Sequence, residues 1–144
     1  MRILKFPLSI AIAILLLASC TSKNPDELII GKWSFVKIEM DKLKAYVEGE
    51  SDALSMAMVK STYESMKFEF YNDKTYEQTA NTIIGTAKVS GKYEFINDGK
   101  YLVLNPENAR TVNQEKLEIL TLNADTLKYI TNEIIELTFK RGNK

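Results

Sequence analysis

The sequence predicts an all-β domain: an eight-stranded up-and-down barrel with one short helix between its first and second strands. Three observations lead there. From Met66 to Arg141 apolar residues recur with a period of two, the repeat of strands that bury one face. Turn formers such as Asn72-Asp73-Lys74, Asn97-Asp98-Gly99 and Asn132-Glu133 interrupt that pattern at short intervals, so successive strands join as hairpins. The one long excursion falls between the first strand and the second. A meander of eight strands closes into a small barrel, and closure hides the edges that would otherwise invite aggregation. A two-sheet sandwich is the competing architecture, and the short hairpin spacing argues against it.

The chain opens with Arg2 and Lys5, then an apolar run from Phe6 to Ala18. That run suits the apolar region of a secretory signal and falls short of the ~20 residues needed to span a bilayer. Its end, Leu17-Ala18-Ser19-Cys20, resembles the lipobox of bacterial lipoproteins. The resemblance implies that residues 1–19 are removed, that Cys20 is lipidated, and that the mature chain carries two or three fatty chains. One chain gives only reversible membrane binding, whereas two or three give stable anchoring. Membrane lipid, reached through acylated Cys20, is therefore an expected partner. Thr21 follows the cysteine where an aspartate would retain such a protein at the inner membrane, which favours the outer membrane. Which face of the membrane the domain occupies is left open.

Thr21 to Asp26 is polar, contains a proline and has no periodicity, so residues 20–26 read as a lipidated tether and 27–144 as the barrel domain. Leu28 to Met40 reads as a long first strand whose apolar face changes after Phe35, consistent with a bulge. Ser51 to Met66 reads as a helix capped by Ser51 or Asp52, with Met56, Val59, Tyr63 and Met66 along one face. That face suits either core packing or, because methionine is unbranched and polarizable, an adaptable binding surface. Strands then follow over Met66–Phe70, Thr75–Asn81, Ala87–Phe95, Tyr101–Leu104, Thr111–Leu122, Thr126–Thr131 and Ile134–Arg141. Within them Phe68, Phe70, Tyr76, Tyr93 and Phe95 take inward positions.

The ordered motifs over Leu28 to Arg141 are Gly31-Lys32-Trp33, then Phe68, Phe70, Asp73 and Tyr76 in an F-x-F-x-x-D-x-x-Y hairpin, and Gly91-Lys92-Tyr93. Leu120-Thr121-Leu122 with Asp125 and Leu127, and a closing strand ending in Lys140-Arg141, complete the series. This order is similar to that of the lipocalin-like domains of bacterial lipoproteins. The resemblance implies that Trp33 plugs one end of the barrel, that Gly31 permits close approach beneath it, and that Arg141, or Lys140 in its place, stacks across the indole. One departure is the helix after the first strand, where ordinary lipocalins have a lid loop.

Composition narrows the chemistry. The 19 basic and 19 acidic residues cancel, and without Arg2 and Lys5 the balance is 17 to 19, which gives no electrostatic reason to expect nucleic acid. With no histidine and a single cysteine, the chain lacks a Ser-His-Asp triad, a Cys-His pair and the usual zinc ligands. No cofactor, metal or enzymatic activity is expected. Carboxylates alone could serve a glycosidase, and Asp41, Glu48, Glu50 and Glu64 lie in or near the excursion, but they read first as solvated surface charges. Two functions remain. One is binding of a small hydrophobic or amphipathic ligand, lined by Met56, Val59, Tyr63, Phe68, Phe70, Tyr76, Tyr93 and Phe95, with the helix as lid. The other is a non-enzymatic envelope interaction or structural lipoprotein with a filled barrel.

Overall fold

The structure, a computed structural model, describes residues 24–40, 50–107 and 113–142; for residues 50–53 it describes the backbone alone. Eight antiparallel strands pair strictly in chain order, and the last returns to the first, which closes the barrel. They are β1 (Gly31–Glu39), β2 (Lys67–Phe70), β3 (Thr75–Thr82), β4 (Gly85–Ile96), β5 (Tyr101–Pro106), β6 (Glu115–Leu122), β7 (Thr126–Thr131) and β8 (Ile135–Arg141). The turns are those that favour positive φ: Asn97, Asp98 and Gly99 take φ of 52°, 55° and 85°, and Asn132 and Glu133 take 51° and 63°.

Helix α1 (Pro25–Ile29) precedes β1, and helix α2 (Glu50–Glu64) fills the excursion. The reading of Leu28–Met40 as continuous strand, with a tether up to Asp26, is corrected here. Local capping overrides the apolar run. The Asn24 side chain accepts the Asp26 N–H at 3.1 Å and its carbonyl accepts those of Glu27 and Leu28, while Pro25 at the first helical position has no N–H to lose. Chain that looked like a spacer is thereby part of the fold. Helix α2 starts at Glu50, so Ser51 and Asp52 stand in its first turn and not at the cap position. The strand expected from Thr111 begins at Glu115; residues 111 and 112 lie outside the described residues, and 113 and 114 are irregular.

Strand β1 carries the bulge. Its register against β8 shifts between Phe35 and Lys37, where Val36 is the extra residue and points to solvent. Inward positions therefore pass from Trp33 and Phe35 to Ile38 and Met40. A second shift, between Ile119 and Thr121 in β6, leaves Leu120 exposed. Helix α2 lies across β1 and β3. It half-buries Met56 and Tyr63 against the core and leaves Leu54, Met58 and Val59 exposed.

Candidate functional site

One end of the barrel is closed. At Gly31 the chain turns upward from α1 into β1 with φ +122°, and Trp33 then points inward, fully buried. Its indole N–H donates to the Ile29 carbonyl at 2.7 Å, so the polar edge of the ring is satisfied inside the barrel. The Arg141 guanidinium lies over the ring, 4.3 Å from its centroid. The same guanidinium donates to the carbonyls of Leu28, Ile30 and Ala124, tying α1 to β1, to the β6–β7 loop and to the end of β8. A Cβ at Gly31 would meet Arg141 Nη1 at 2.8 Å, so the glycine leaves room for this clamp. Lys140, the alternative partner for the indole, is exposed. The Asp26 carboxylate pairs with Lys74 in the β2–β3 turn, and Pro25 packs onto Gly99 in the β4–β5 turn.

Beside Trp33, which pairs with Phe68 across β1 and β2, the interior is filled with rings. Phe68 stacks on Phe70 at 5.5 Å and meets Phe139 edge-on at 5.4 Å; Phe70 meets Tyr93 at 5.1 Å; Tyr129 stacks on Phe139 at 5.6 Å. The Tyr93 hydroxyl donates to the Tyr71 carbonyl at 3.0 Å. A backbone carbonyl also approaches here: a Cβ on Gly91 would lie 2.1 Å from the Asn105 oxygen, so β4 and β5 meet at this level only with glycine.

The other end is open. A cavity of about 400 Å³ lies between α2, the β3–β4 hairpin tip and the upper parts of β6 and β7. Val59, Tyr63, Met66, Leu117 and Tyr129 supply most of its apolar wall; Gln78, Thr131 and Glu115 supply polar atoms. Ile83 of the hairpin tip also lines it and is otherwise almost wholly exposed, as is its neighbour Ile84. Glu115 stands at the rim, exposed by its surface area, and partial desolvation beside the apolar wall raises its pKa above the usual carboxylate value. The phenols of Tyr63, Tyr76 and Tyr129 are pushed up in turn, first by burial and then by the Glu115 charge, Tyr76 to about 12. They are therefore neutral at physiological pH.

The predicted lining residues divide between these two levels. Val59 and Tyr63 face the cavity. Phe68, Phe70, Tyr76 and Tyr93 are instead locked against one another in the closed half, with at most 3% of their surface exposed, and Met56 and Phe95 are half-buried against that core. Their size, which suggested a ligand wall, is what lets them fill the barrel without a ligand. Among the candidate carboxylates, Glu64 is exposed and pairs with Lys60 at 3.6 Å along α2. Asp41 and Glu48, like Cys20, lie outside the described residues, and nothing is described of the Glu50 side chain. Among the described residues no three acidic, histidine or cysteine side chains gather to hold a metal ion. Sequence reading missed Glu115, Leu117, Tyr129 and Thr131. Their signal was available in the alternation of β6 and β7, where an acid occupies the inward position two residues before Leu117.

No protein-family model matches the sequence, and no curated protein is significantly similar to it. Solved structures are. The chain is similar to a lipocalin-like protein from Bacteroides uniformis ATCC 8492, with a TM-score of 0.54 and 12% identity over 80% of this chain and 99% of that one. It is likewise similar to an uncharacterized protein from Bacteroides eggerthii DSM 20697, with a TM-score of 0.53 and 8% identity over 79% and 99% of the two chains. The closed eight-stranded barrel is thus a lipocalin-like fold.

Proposed function

We propose that this protein is a membrane-anchored lipoprotein of the bacterial cell envelope, most naturally of the outer membrane, that binds a small hydrophobic or amphipathic ligand at the open end of its barrel. The observation that carries the reading is the cavity of about 400 Å³ with a largely apolar wall, at the mouth of an otherwise filled barrel. Binding sites of small molecules are concave and mostly apolar, with a few polar groups that fix orientation. The anchor rests on the lipobox-like sequence before Cys20. Asn24, the cap residue of α1, is four residues beyond that cysteine, and four residues reach at most about 14 Å. Lipid on Cys20 would hold the closed end against the bilayer and turn the cavity away from it, towards ligands that arrive through the aqueous phase.

Native mass spectrometry of protein extracted from its own membranes tests both parts. The expected species begins at Cys20, carries two or three acyl chains, and holds a non-covalent small molecule. A Val59→Trp variant, which places an indole in the cavity from the exposed side of α2, is expected to lose that molecule while its unfolding midpoint stays unchanged. A chain beginning at Met1 without lipid would overturn the anchor. Protein with no bound molecule and no affinity for a hydrophobic dye would favour the second reading, an envelope interaction lipoprotein, which the bare Ile83-Ile84 tip beside the mouth supports.

A further inference from the structure

The cavity has a charge character that its apolar wall does not announce. Of the described side chains that line it, Glu115 alone carries a charge; the others are methionines, aliphatics, tyrosines, threonines and Gln78. No lysine or arginine lines it among the described residues. Among the described residues the ion pairs on the flanking elements form without Glu115: Lys60 with Glu64 at 3.6 Å on α2, Lys88 with Glu77 at 2.7 Å across β3 and β4, and Lys100 of the β4–β5 turn with Glu118 of β6 at 3.6 Å. A carboxylate at the rim of an apolar hollow, with no cation beside it among the described residues, attracts a positive group and repels a negative one. Two of the phenols that feel its charge, Tyr63 and Tyr129, also line the cavity, and aromatic walls favour alkylammonium groups further. The apolar floor, Met66 and Leu117, lies on the inner side of the same space.

Resting on the ligand-binding reading above, we infer that the site selects cationic amphiphiles: an apolar chain seated against Met66, Leu117 and Val59, with an amine or quaternary ammonium head at Glu115. Fatty acids and other anionic lipids are disfavoured by the same carboxylate. This goes beyond an apolar pocket, which would rank ligands by the surface they bury and ignore the sign of their charge.

Isothermal titration of the full chain, purified from its membranes and held at one fixed concentration of a neutral maltoside, separates the possibilities. The probes are octyltrimethylammonium, octanoate and octanol, which share the chain and differ in the head. Octyltrimethylammonium is expected to bind tighter than octanoate by on the order of tenfold or more, the effect of one unit charge at contact distance on heads of opposite sign. In Glu115→Gln that preference is expected to fall to about threefold or less. Octanoate binding as tightly as octyltrimethylammonium, with octanol also bound, would overturn the charge selectivity and leave the apolar cavity standing. Failure of all three to bind would overturn the ligand-binding reading and the selectivity with it. A preference for octyltrimethylammonium that survives unchanged in Glu115→Gln would place the recognition elsewhere and overturn the role given to Glu115.

Discussion

At the closed end of the barrel, one indole, one guanidinium and one turn of helix satisfy each other. The Trp33 N–H is bonded to Ile29, the three donating nitrogens of Arg141 each reach a backbone carbonyl, and stacked rings stand on the neighbouring strand. At the open end an acid faces a hollow with no ion-pair partner among the described residues, a helix leaves Leu54, Met58 and Val59 in solvent, and two isoleucines stand bare on a hairpin tip. Same strands, same pleat, opposite design. The difference separates two kinds of contact: at the closed end the polar groups satisfy one another, whereas at the open end, among the described residues, apolar side chains and one carboxylate are left at the surface. Elements with few buried contacts belong to the low-stability end of a structure, which is also where binding elements are drawn from.

The largest expected effect that follows from this contrast is at the plug. Trp33→Ala removes a fully buried indole, its hydrogen bond and the surface on which Arg141 rests. Urea unfolding is expected to show a loss of about 3 to 5 kcal/mol, the range for large aromatic deletions in cores. A loss below about 1 kcal/mol would mean that the closed end does not hold the barrel together, and the division between the two ends would collapse.

Arg141→Met comes next, because it keeps a long stem over the indole and removes the charge and the donors. Three hydrogen bonds from a charged group to the carbonyls of Leu28, Ile30 and Ala124 are lost together. Arg141 is partly exposed, and water can replace some of them, so the expected cost is about 2 kcal/mol. The same variant should blunt the penalty of Gly31→Ala, whose new Cβ would otherwise press on Arg141 Nη1 at 2.8 Å. A double-mutant cycle in urea measures that coupling. Strict additivity would show that Gly31 is needed for its φ of +122° alone and not for the clamp.

The closed end was also the more legible in the sequence, and for the same physical reason. A buried tryptophan beside a glycine, strands of period two and Asn-Asp-Gly turns are local signals, and local signals survive translation into structure. The five strand aromatics proposed to line a ligand site do point inward, but alternation fixes only the face of a residue. It does not fix its height along the barrel axis. Height depends on strand stagger and on the shifts at Phe35/Lys37 and Ile119/Thr121, which reposition whole faces, and it decides that Phe68 and Tyr93 are packed while Leu117 meets a hollow. Glu115 was passed over because one acid in a polar stretch reads as solvated; only closure of β6 against β5 and β7 turns it to the mouth. Helix α1 escaped for another reason, since a single turn is too short to show a period and is written in its Asn-Pro-Asp cap alone.

The smallest expected effect, and the one that sharpens the contrast most, is Glu115→Gln without any ligand. Burial raises the folded-state pKa of Glu115 above its unfolded value, so between those two values the folded chain holds more protons than the unfolded one. Stability due to this group therefore falls as pH rises through that window, and above it the penalty of an ionised carboxylate partly desolvated by the cavity wall is present in full, a small one because the residue is exposed. Glutamine keeps the shape and has nothing to ionise. Near neutral pH the variant is expected to be slightly more stable than the unaltered chain in urea, and the gap should close as pH drops through the raised pKa into the range where Glu115 is protonated. Tyr63, Tyr76 and Tyr129 do not disturb the comparison, because their own shifts are upward and they stay neutral throughout. Gln at this position costs stability only if the carboxylate is held by favourable partners, as Arg141 is at the other end. Destabilisation at neutral pH would thus show a mouth built for the fold; stabilisation marks Glu115 as a group that the fold tolerates for the sake of what it binds.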